Sequence, residues 1–203
     1  MPAKKTINQS HLASAAAKAQ SRARAVFLDR DGVINRALER EEKPYPPRNL
    51  SEFEILPEVP EACARLKAAG FSLIIATNQP DVGRGTMEKS VVEEIHAHLM
   101  LQLPIDRVEV CYHAGKGVSE CDCRKPKPGM LLKAARELNI DLAKSWMVGD
   151  RWRDVDCGHN AGCKTILIDR GYAEELKQRP DFRAKDLMGA AEIILAEGQL
   201  SGD

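Results

Sequence analysis

The sequence predicts an α/β fold, a three-layer, doubly wound parallel sheet with helices on both faces. Short apolar runs alternate along the chain with segments of helical periodicity or with helix-boundary residues. Polar side chains directly follow several of these runs, as they do at the carboxyl ends of parallel strands, where open α/β sheets bind ligands. Alternation of this kind indicates parallel strands joined by right-handed crossovers.

The predicted elements follow one another from the first strand to the last helix. The apolar runs predict five strands, at residues 25–28, 71–76, 108–112, 146–148 and 165–168. Helical patterns predict five helices, at residues 57–69, 87–101, 128–138, 154–160 and 186–197. Pro128 marks the start of one helix, and Gly70 and Gly162 mark the ends of two others. The polar segment 36–51 is predicted to be a loop, because its consecutive prolines exclude a regular element.

The composition indicates one domain without a polyanionic partner. The chain has 203 residues, and 30 basic residues balance 30 acidic ones, so the formal net charge is zero. This balance, with only 4% aromatic residues, argues against a nucleic-acid partner or a membrane surface. No apolar run approaches the roughly 20 residues of a membrane span. Neither a heptad nor a large apolar stripe is evident, which favours a monomer.

The first 24 residues differ in composition from the rest. They are rich in Ala, Ser, Lys and Arg, contain no acidic residue, and lack the apolar core of a secretory signal. A transit peptide and a flexible arm both fit this composition, and the arm is favoured. We therefore expect a flexible N-terminal arm at residues 1–24, a single domain at residues 25–200, and a cytoplasmic location.

The first strand ends in two aspartates. Asp29 follows the apolar run directly, Asp31 comes two residues later, and Gly32 allows a sharp turn. Two carboxylates this close need a cation or a shared proton to relieve their repulsion. One can act as a nucleophile beside a bound Mg²⁺ while the other transfers a proton. The same pattern also occurs in plain turns and calcium loops, so the motif alone leaves these alternatives open.

Two later segments offer groups that suit a phosphate. Thr77 and Asn78 follow the second strand, where a hydroxyl and backbone N–H groups can hold a phosphate oxygen. Lys125 is a compact cation suited to a phosphoryl group, and Arg124 can make a forked contact with a second anion. Taken alone, these segments are also compatible with ordinary turn chemistry and with a solvated basic turn.

A third acidic position lies at the end of the fourth strand. Asp150 is predicted to lie at the same edge of the sheet as Asp29, and such a pair suits Mg²⁺, which binds few carboxylates together with water and substrate oxygens. Asp154 comes one helical turn later. It either supports the metal ligands or caps the helix, and the sequence leaves both interpretations open.

A cysteine and histidine cluster predicts a zinc site. Cys111-x-His113 and Cys121-x-Cys123 supply three thiolates and an imidazole, which match a closed tetrahedral Zn²⁺ site. A site with no vacant position is structural, and it would fix the two basic residues that follow Cys123. Buried free thiols are the alternative. The other cysteines are predicted to be packing residues, namely Cys63, Cys157 and Cys163.

These motifs, in this order, resemble those of a known superfamily. Asp29-x-Asp31-Gly32, Thr77-Asn78, Lys125 and Gly149-Asp150-x-x-x-Asp154 resemble the four motifs of the haloacid dehalogenase superfamily phosphatases, over residues 25–168. Within it, residues 29–35, the zinc loop and residues 123–126 resemble the D-glycero-D-manno-heptose 1,7-bisphosphate phosphatases and the related histidinol-phosphate phosphatases. The resemblance implies a capless haloacid dehalogenase-like core with a small zinc loop.

The resemblance also implies roles for individual residues. Asp29 would attack phosphorus and form an aspartyl-phosphate, and Asp31 would act as general acid and base. Thr77 and Lys125 would hold the transferring phosphoryl oxygens. Mg²⁺ would be bound by Asp29, the backbone carbonyl of Asp31 and Asp150.

Three residues are predicted to bind substrate: Asn78, Arg124 and Arg151. The resemblance therefore implies a Mg²⁺-dependent phosphatase that removes the 7-phosphate of a heptose bisphosphate, with histidinol phosphate or another small metabolite as the alternative. The two arginines favour a doubly anionic substrate. A zinc-stabilised, non-catalytic binding protein is a further alternative. The intact acidic and basic cluster argues against it, because an unused charged cluster costs stability.

Overall fold

The computed structural model describes residues 22–40, 43–115 and 121–200. Its strands are β1 (Arg24–Leu28), β2 (Leu38–Arg40), β3 (Lys43–Tyr45), β4 (Phe71–Asn78), β5 (Arg107–Cys111), β6 (Trp146–Gly149), β7 (Lys164–Ile168) and β8 (Phe182–Ala184). Its α-helices are α1 (Val59–Ala68), α2 (Pro80–Gly83), α3 (Lys89–Gln102), α4 (Gly129–Glu137), α5 (Trp152–Ala161) and α6 (Leu187–Leu200). None of the helices in these ranges has the length and hydropathy to cross a membrane.

Six strands form one parallel sheet in the order β5-β4-β1-β6-β7-β8. Successive residues of β1 point to opposite faces of the sheet, so Val26 and Leu28 join one apolar cluster and Phe27 joins the other. Helices α1, α3 and α6 cover the first face, and α4 and α5 cover the second. The predicted three-layer, doubly wound fold is confirmed.

One strand of the sheet was not predicted from the sequence. Strand β8 pairs with β7 at the sheet edge but has only three residues, and none of them is fully buried. It therefore lacks the apolar run by which the other strands were predicted. The five predicted helices are all present, with boundaries that differ by a few residues. On α3, Val92 is buried with Ile95 and Leu99, whereas Val91 is only partly buried.

The prediction that segment 36–51 contains no regular element was wrong. Strands β2 and β3 form an antiparallel hairpin there, and a 3₁₀ turn follows at Leu50–Glu52. Pro44 lies within this hairpin, opposite Glu39. Both strands of a two-stranded ribbon are edge strands. The backbone N–H that a proline lacks therefore need not break the hydrogen-bond ladder between them. Most of the predicted N-terminal arm, residues 1–21, lies outside the described residues.

Candidate active site

The order of the strands brings the predicted site residues together. Strand β1 lies between β4 and β6, so the residues that follow these three strands share one edge of the sheet. The backbone N–H of Asp29 donates to the carbonyl of Val148 at 2.9 Å, which continues the ladder to the end of the strand. Thr77 lies at the end of β4, and Asp150 directly follows β6.

Two glycines allow the acidic residues to approach one another. Gly32 has a φ of +88°, and a Cβ at this position would lie 2.0 Å from Oδ2 of Asp150. A Cβ at Gly149 would lie 2.1 Å from Cβ of Asp154. Any larger residue at either position would displace a carboxylate, so the two glycines determine how closely the acidic groups pack.

Lys125 lies at the centre of the acidic group. Its Nζ is 2.9 Å from Oδ1 of Asp29 and 2.5 Å from Oδ1 of Asp154, and its side chain is 2% exposed. Burial alone would lower the pKa of Lys125, but the carboxylates of Asp154 and Asp29 outweigh it and raise this pKa above its ordinary value. The lysine is therefore firmly protonated and held in one place.

Three carboxylates cluster at this position, and two of them contact the single ammonium group. Ligand oxygens of Asp29, Asp150 and Asp154 all lie within 4.8 Å of one another. Burial raises the pKa of Asp29 to about 6, although Lys125 opposes the shift. Burial and the charge of Asp29 raise the pKa of Asp150 well above its ordinary value. Ionising all three groups leaves an excess of negative charge that one lysine does not balance.

The donor set at this edge fits a hard divalent cation. Oδ1 of Asp150 is buried without a hydrogen-bond partner among the described residues. A carboxylate oxygen of this kind, beside a second carboxylate, is the type of ligand that Mg²⁺ prefers. The structure also shows why the sequence left Asp154 ambiguous, because its carboxylate both pairs with Lys125 and accepts the N–H of Arg151 at 3.0 Å at the start of α5.

Asp31 is held by residues that sequence reasoning did not assign to the site. Arg30 Nη2 donates to both carboxylate oxygens of Asp31 at 2.9 Å. The side-chain amide of Gln79 donates to Oδ2 of Asp31 and to the Thr77 hydroxyl, both at 2.9 Å. Gln79 therefore links the predicted acid–base residue to the predicted phosphate-binding hydroxyl. Its position after Thr77-Asn78 was the only signal in the sequence.

The amide of Asn78 contacts backbone atoms of Lys125. Its Nδ2 donates to the carbonyl of Lys125 at 3.2 Å, and its Oδ1 accepts the N–H of Lys125 at 3.1 Å. This pair of bonds ties the end of β4 to the loop that carries the lysine. In this structure Asn78 orients Lys125, and it also lines the neighbouring cleft.

The acidic group lines an open cleft of about 220 Å³. Four arginines line it together with Lys125, namely Arg84, Arg124, Arg151 and Arg153. Sequence reasoning predicted Arg124 and Arg151 as substrate contacts. The guanidinium of Arg151 forms a two-point ion pair with Glu174, with Nε 2.7 Å from Oε2. Neither Glu174 nor Arg153 was predicted.

The four predicted zinc ligands converge beside the site. Cys111 Sγ lies 3.5 Å from His113 Nδ1 and 3.8 Å from Cys121 Sγ, and Cys123 Sγ lies 3.3 Å from the same nitrogen. Tetrahedral Zn²⁺ with bonds of about 2.3 Å to sulfur and about 2.0 Å to nitrogen would place its ligand atoms about 3.5–3.8 Å apart, close to the separations found here. The cluster has the size of a zinc site. Residues 116–120 of its loop lie outside the described residues.

Comparisons with known proteins agree with this fold. A family model described as HAD-hydrolase-like matches residues 122–190. The D-glycero-beta-D-manno-heptose-1,7-bisphosphate 7-phosphatase of Pasteurella multocida is 33% identical over 183 residues, which cover 84% of this chain and 96% of the relative. The D-glycero-alpha-D-manno-heptose-1,7-bisphosphate 7-phosphatase of Campylobacter jejuni is 34% identical over 165 residues, covering 79% and 88%.

A solved structure shows the same architecture. The D,D-heptose 1,7-bisphosphate phosphatase of B. bronchiseptica, complexed with magnesium and phosphate, superposes with a TM-score of 0.72 at 31% identity, over 86% of this chain and 99% of that one. The fold and the carboxylate–lysine site define a haloacid dehalogenase-like phosphatase. More specifically, the chain belongs to the D-glycero-D-manno-heptose-1,7-bisphosphate 7-phosphatase family.

Proposed function

We propose that this protein is a Mg²⁺-dependent phosphomonoester hydrolase that removes the 7-phosphate of D-glycero-D-manno-heptose 1,7-bisphosphate. The observation that carries this proposal is the group of Asp29, Asp150, Asp154 and Lys125, which lines a cleft together with four arginines. The cleft volume suits a small sugar phosphate. The relatives named above include phosphatases of both the alpha and the beta anomer, so family membership leaves the anomer open.

The positions of the side chains support a two-step reaction. Asp29, whose Oδ1 contacts Lys125, would attack phosphorus, so that a bond forms between its carboxylate oxygen and phosphorus while the bond to the sugar oxygen breaks. Asp31 would give a proton to that leaving oxygen and would later take one from the water that hydrolyses the aspartyl-phosphate. Lys125 and Thr77 would hold the phosphoryl oxygens throughout.

Mg²⁺ fits the acidic edge of the sheet. Asp29, the backbone carbonyl of Asp31 and Asp150 would hold it, which would give the unpartnered Oδ1 of Asp150 a ligand role. When bound, the cation offsets the charge of the phosphate and of the carboxylates. Its binding would also favour the ionised form of Asp29, which the site needs as a nucleophile.

A structural zinc ion would shape the loop that carries two of the cations. Cys111, His113, Cys121 and Cys123 would be its ligands, and Arg124 and Lys125 directly follow Cys123 in the chain. The separations between the ligand atoms support this role, because they match a closed tetrahedral site. We infer no catalytic step at the zinc.

The proposed enzyme acts as a cytoplasmic monomer with one catalytic domain, and that domain includes Arg24, because this residue begins β1 and pairs with β4. All six cysteines are free, as suits a reducing compartment.

Phosphate release in the presence of Mg²⁺ tests the proposal. The substrates are α- and β-heptose 1,7-bisphosphate, with histidinol phosphate alongside. We expect kcat/KM to be at least about 100-fold higher for one heptose anomer, which corresponds to roughly 3 kcal/mol of transition-state discrimination. Weak and comparable rates on all three substrates would remove the heptose assignment.

Asp29→Asn is the matched inactive variant. The substitution keeps the size of the side chain but replaces the nucleophilic carboxylate with a neutral amide, so turnover should fall to background. Asp169→Asn is the control, because Asp169 is an exposed aspartate that pairs with Arg183 outside the cleft. Turnover that survives Asp29→Asn would contradict the nucleophile assignment and favour a different reaction.

A further inference from the structure

The arginines that line the cleft differ in what they contact. Arg84 pairs with Asp81 at 3.2 Å, and both oxygens of Glu174 engage Arg151. Arg124 Nη1 donates to the carbonyl of His113 at 3.2 Å. Arg153, by contrast, makes neither an ion pair nor a hydrogen bond within the part of the chain that the structure describes.

The position of Arg153 is unfavourable for a cation. It is the second residue of α5, where the positive end of the helix dipole opposes a positive side chain. Its guanidinium is half-buried, and its one described aromatic contact is with the Trp152 ring, 5.1 Å away. Burial and the nearby charge of Arg151 lower the pKa of Arg153 below its ordinary value. The carboxylates of Glu174 and Asp154 act on this charge without forming an ion pair with it, whereas an anion in the cleft could pair with it directly.

The cations of the cleft therefore suit two separate anionic groups. Lys125 contacts Asp29 and lines the cleft together with Thr77, and the reacting phosphate belongs there under the proposed function. Arg153 lies on the cleft lining with Arg124, and a guanidinium can engage a phosphate through two parallel hydrogen bonds. The charge of Arg151 is already offset by Glu174, so Arg151 has less to offer a second phosphate.

We propose that Arg153 is the main specificity-determining contact for the remote, non-reacting phosphate of a doubly phosphorylated sugar, with Arg124 beside it. This inference rests on the proposed function of the same cleft. It replaces Arg151, which was predicted to bind substrate, with Arg153. Arg151 remains a positioning residue whose guanidinium is fixed by Glu174 and lies over the Tyr172 ring.

A pair of substrates that differ only in the remote phosphate tests the proposal. Heptose 1,7-bisphosphate and heptose 7-phosphate are compared in the wild type, Arg153→Ala and Arg153→Lys. We expect Arg153→Ala to lower kcat/KM for the bisphosphate by about 30- to 100-fold, mainly through KM, and to change kcat/KM for the monophosphate less than about threefold. Arg153→Lys should recover part of the loss, because it keeps the charge without the fork.

Arg136→Ala is the matched control, because Arg136 is an exposed arginine in the last turn of α4 and does not line the cleft. It should leave both substrates unaffected. An equal loss on both substrates in Arg153→Ala would assign Arg153 a structural role and overturn the proposal, as would no loss on either.

A second substrate pair separates this proposal from the proposed function. If the wild type does not hydrolyse heptose bisphosphate, the heptose assignment fails, and fructose 1,6-bisphosphate and fructose 6-phosphate replace the first pair. A loss confined to the bisphosphate would still support Arg153 as the remote-phosphate contact. If Arg153→Ala and the wild type had the same kcat/KM for each fructose substrate, the assignment of Arg153 would be overturned.

Discussion

His96 connects the stability of this protein to pH through a buried hydrogen bond. The imidazole is buried on α3, and its Nε2 lies 3.1 Å from Nη1 of Arg30, the residue that also holds Asp31. A guanidinium can only donate, so Nε2 accepts and the ring is neutral. Burial and the Arg30 charge lower the pKa of His96 from 6.5 to about 3. Between these two pKa values, His96 is therefore protonated in the unfolded chain but neutral in the folded protein.

The expected magnitude follows from this difference in pKa. Well above pH 6.5 neither state protonates His96, so the difference in pKa does not lower the free energy of unfolding. As the pH falls from 6.5 towards about 3, only the unfolded state gains the proton, so the free energy of unfolding falls by about 1.4 kcal/mol per pH unit. At about pH 5 the loss due to His96 should reach about 2 kcal/mol.

Urea unfolding at about pH 7.5 and about pH 5 measures this loss, with His96→Gln as the comparison. Glutamine keeps an acceptor for Arg30 but does not titrate, so the variant should lose about 2 kcal/mol less than the wild type between the two pH values. His98→Gln controls for removing an imidazole from the same helix. Equal losses in the wild type and His96→Gln would refute the reasoning.

Two further predictions concern the charged cluster and the cysteine cluster. Lys125→Met should lower the free energy of unfolding by about 3–5 kcal/mol without metal, because buried carboxylates lose their cation, and added Mg²⁺ should recover part of the loss. Urea unfolding with and without Mg²⁺ checks this, and a loss below about 1 kcal/mol would contradict it. Cys123→Ser should reduce bound zinc, measured by elemental analysis, and lower Tm, whereas Cys63→Ser, a core cysteine outside the cluster, should keep the zinc. Removing zinc from the wild type with no change in Tm would show that the metal is not structural.

The sequence alone was enough to predict the parallel sheet and the residues at its edge. Apolar runs and the polar side chains that follow them are local signals, and Asp29, Thr77 and Asp150 each directly follow or end such a run. The spacing of the cysteines is equally local, and the structure brings all four predicted ligands together. Short edge elements lack such a signal, which explains why β8 and the β2–β3 hairpin were missed.

Only the tertiary structure decided how charge is distributed over the cleft. Arg151 and Glu174 lie 23 positions apart in the chain, and no periodicity links them, yet folding places them in contact. Arg30 likewise reaches His96 across 66 positions. Whether an arginine is neutralised or left without a partner depends on which distant side chain packs beside it. The sequence could therefore predict the candidate site residues, whereas only the packing could distinguish the paired Arg151 from the unpaired Arg153.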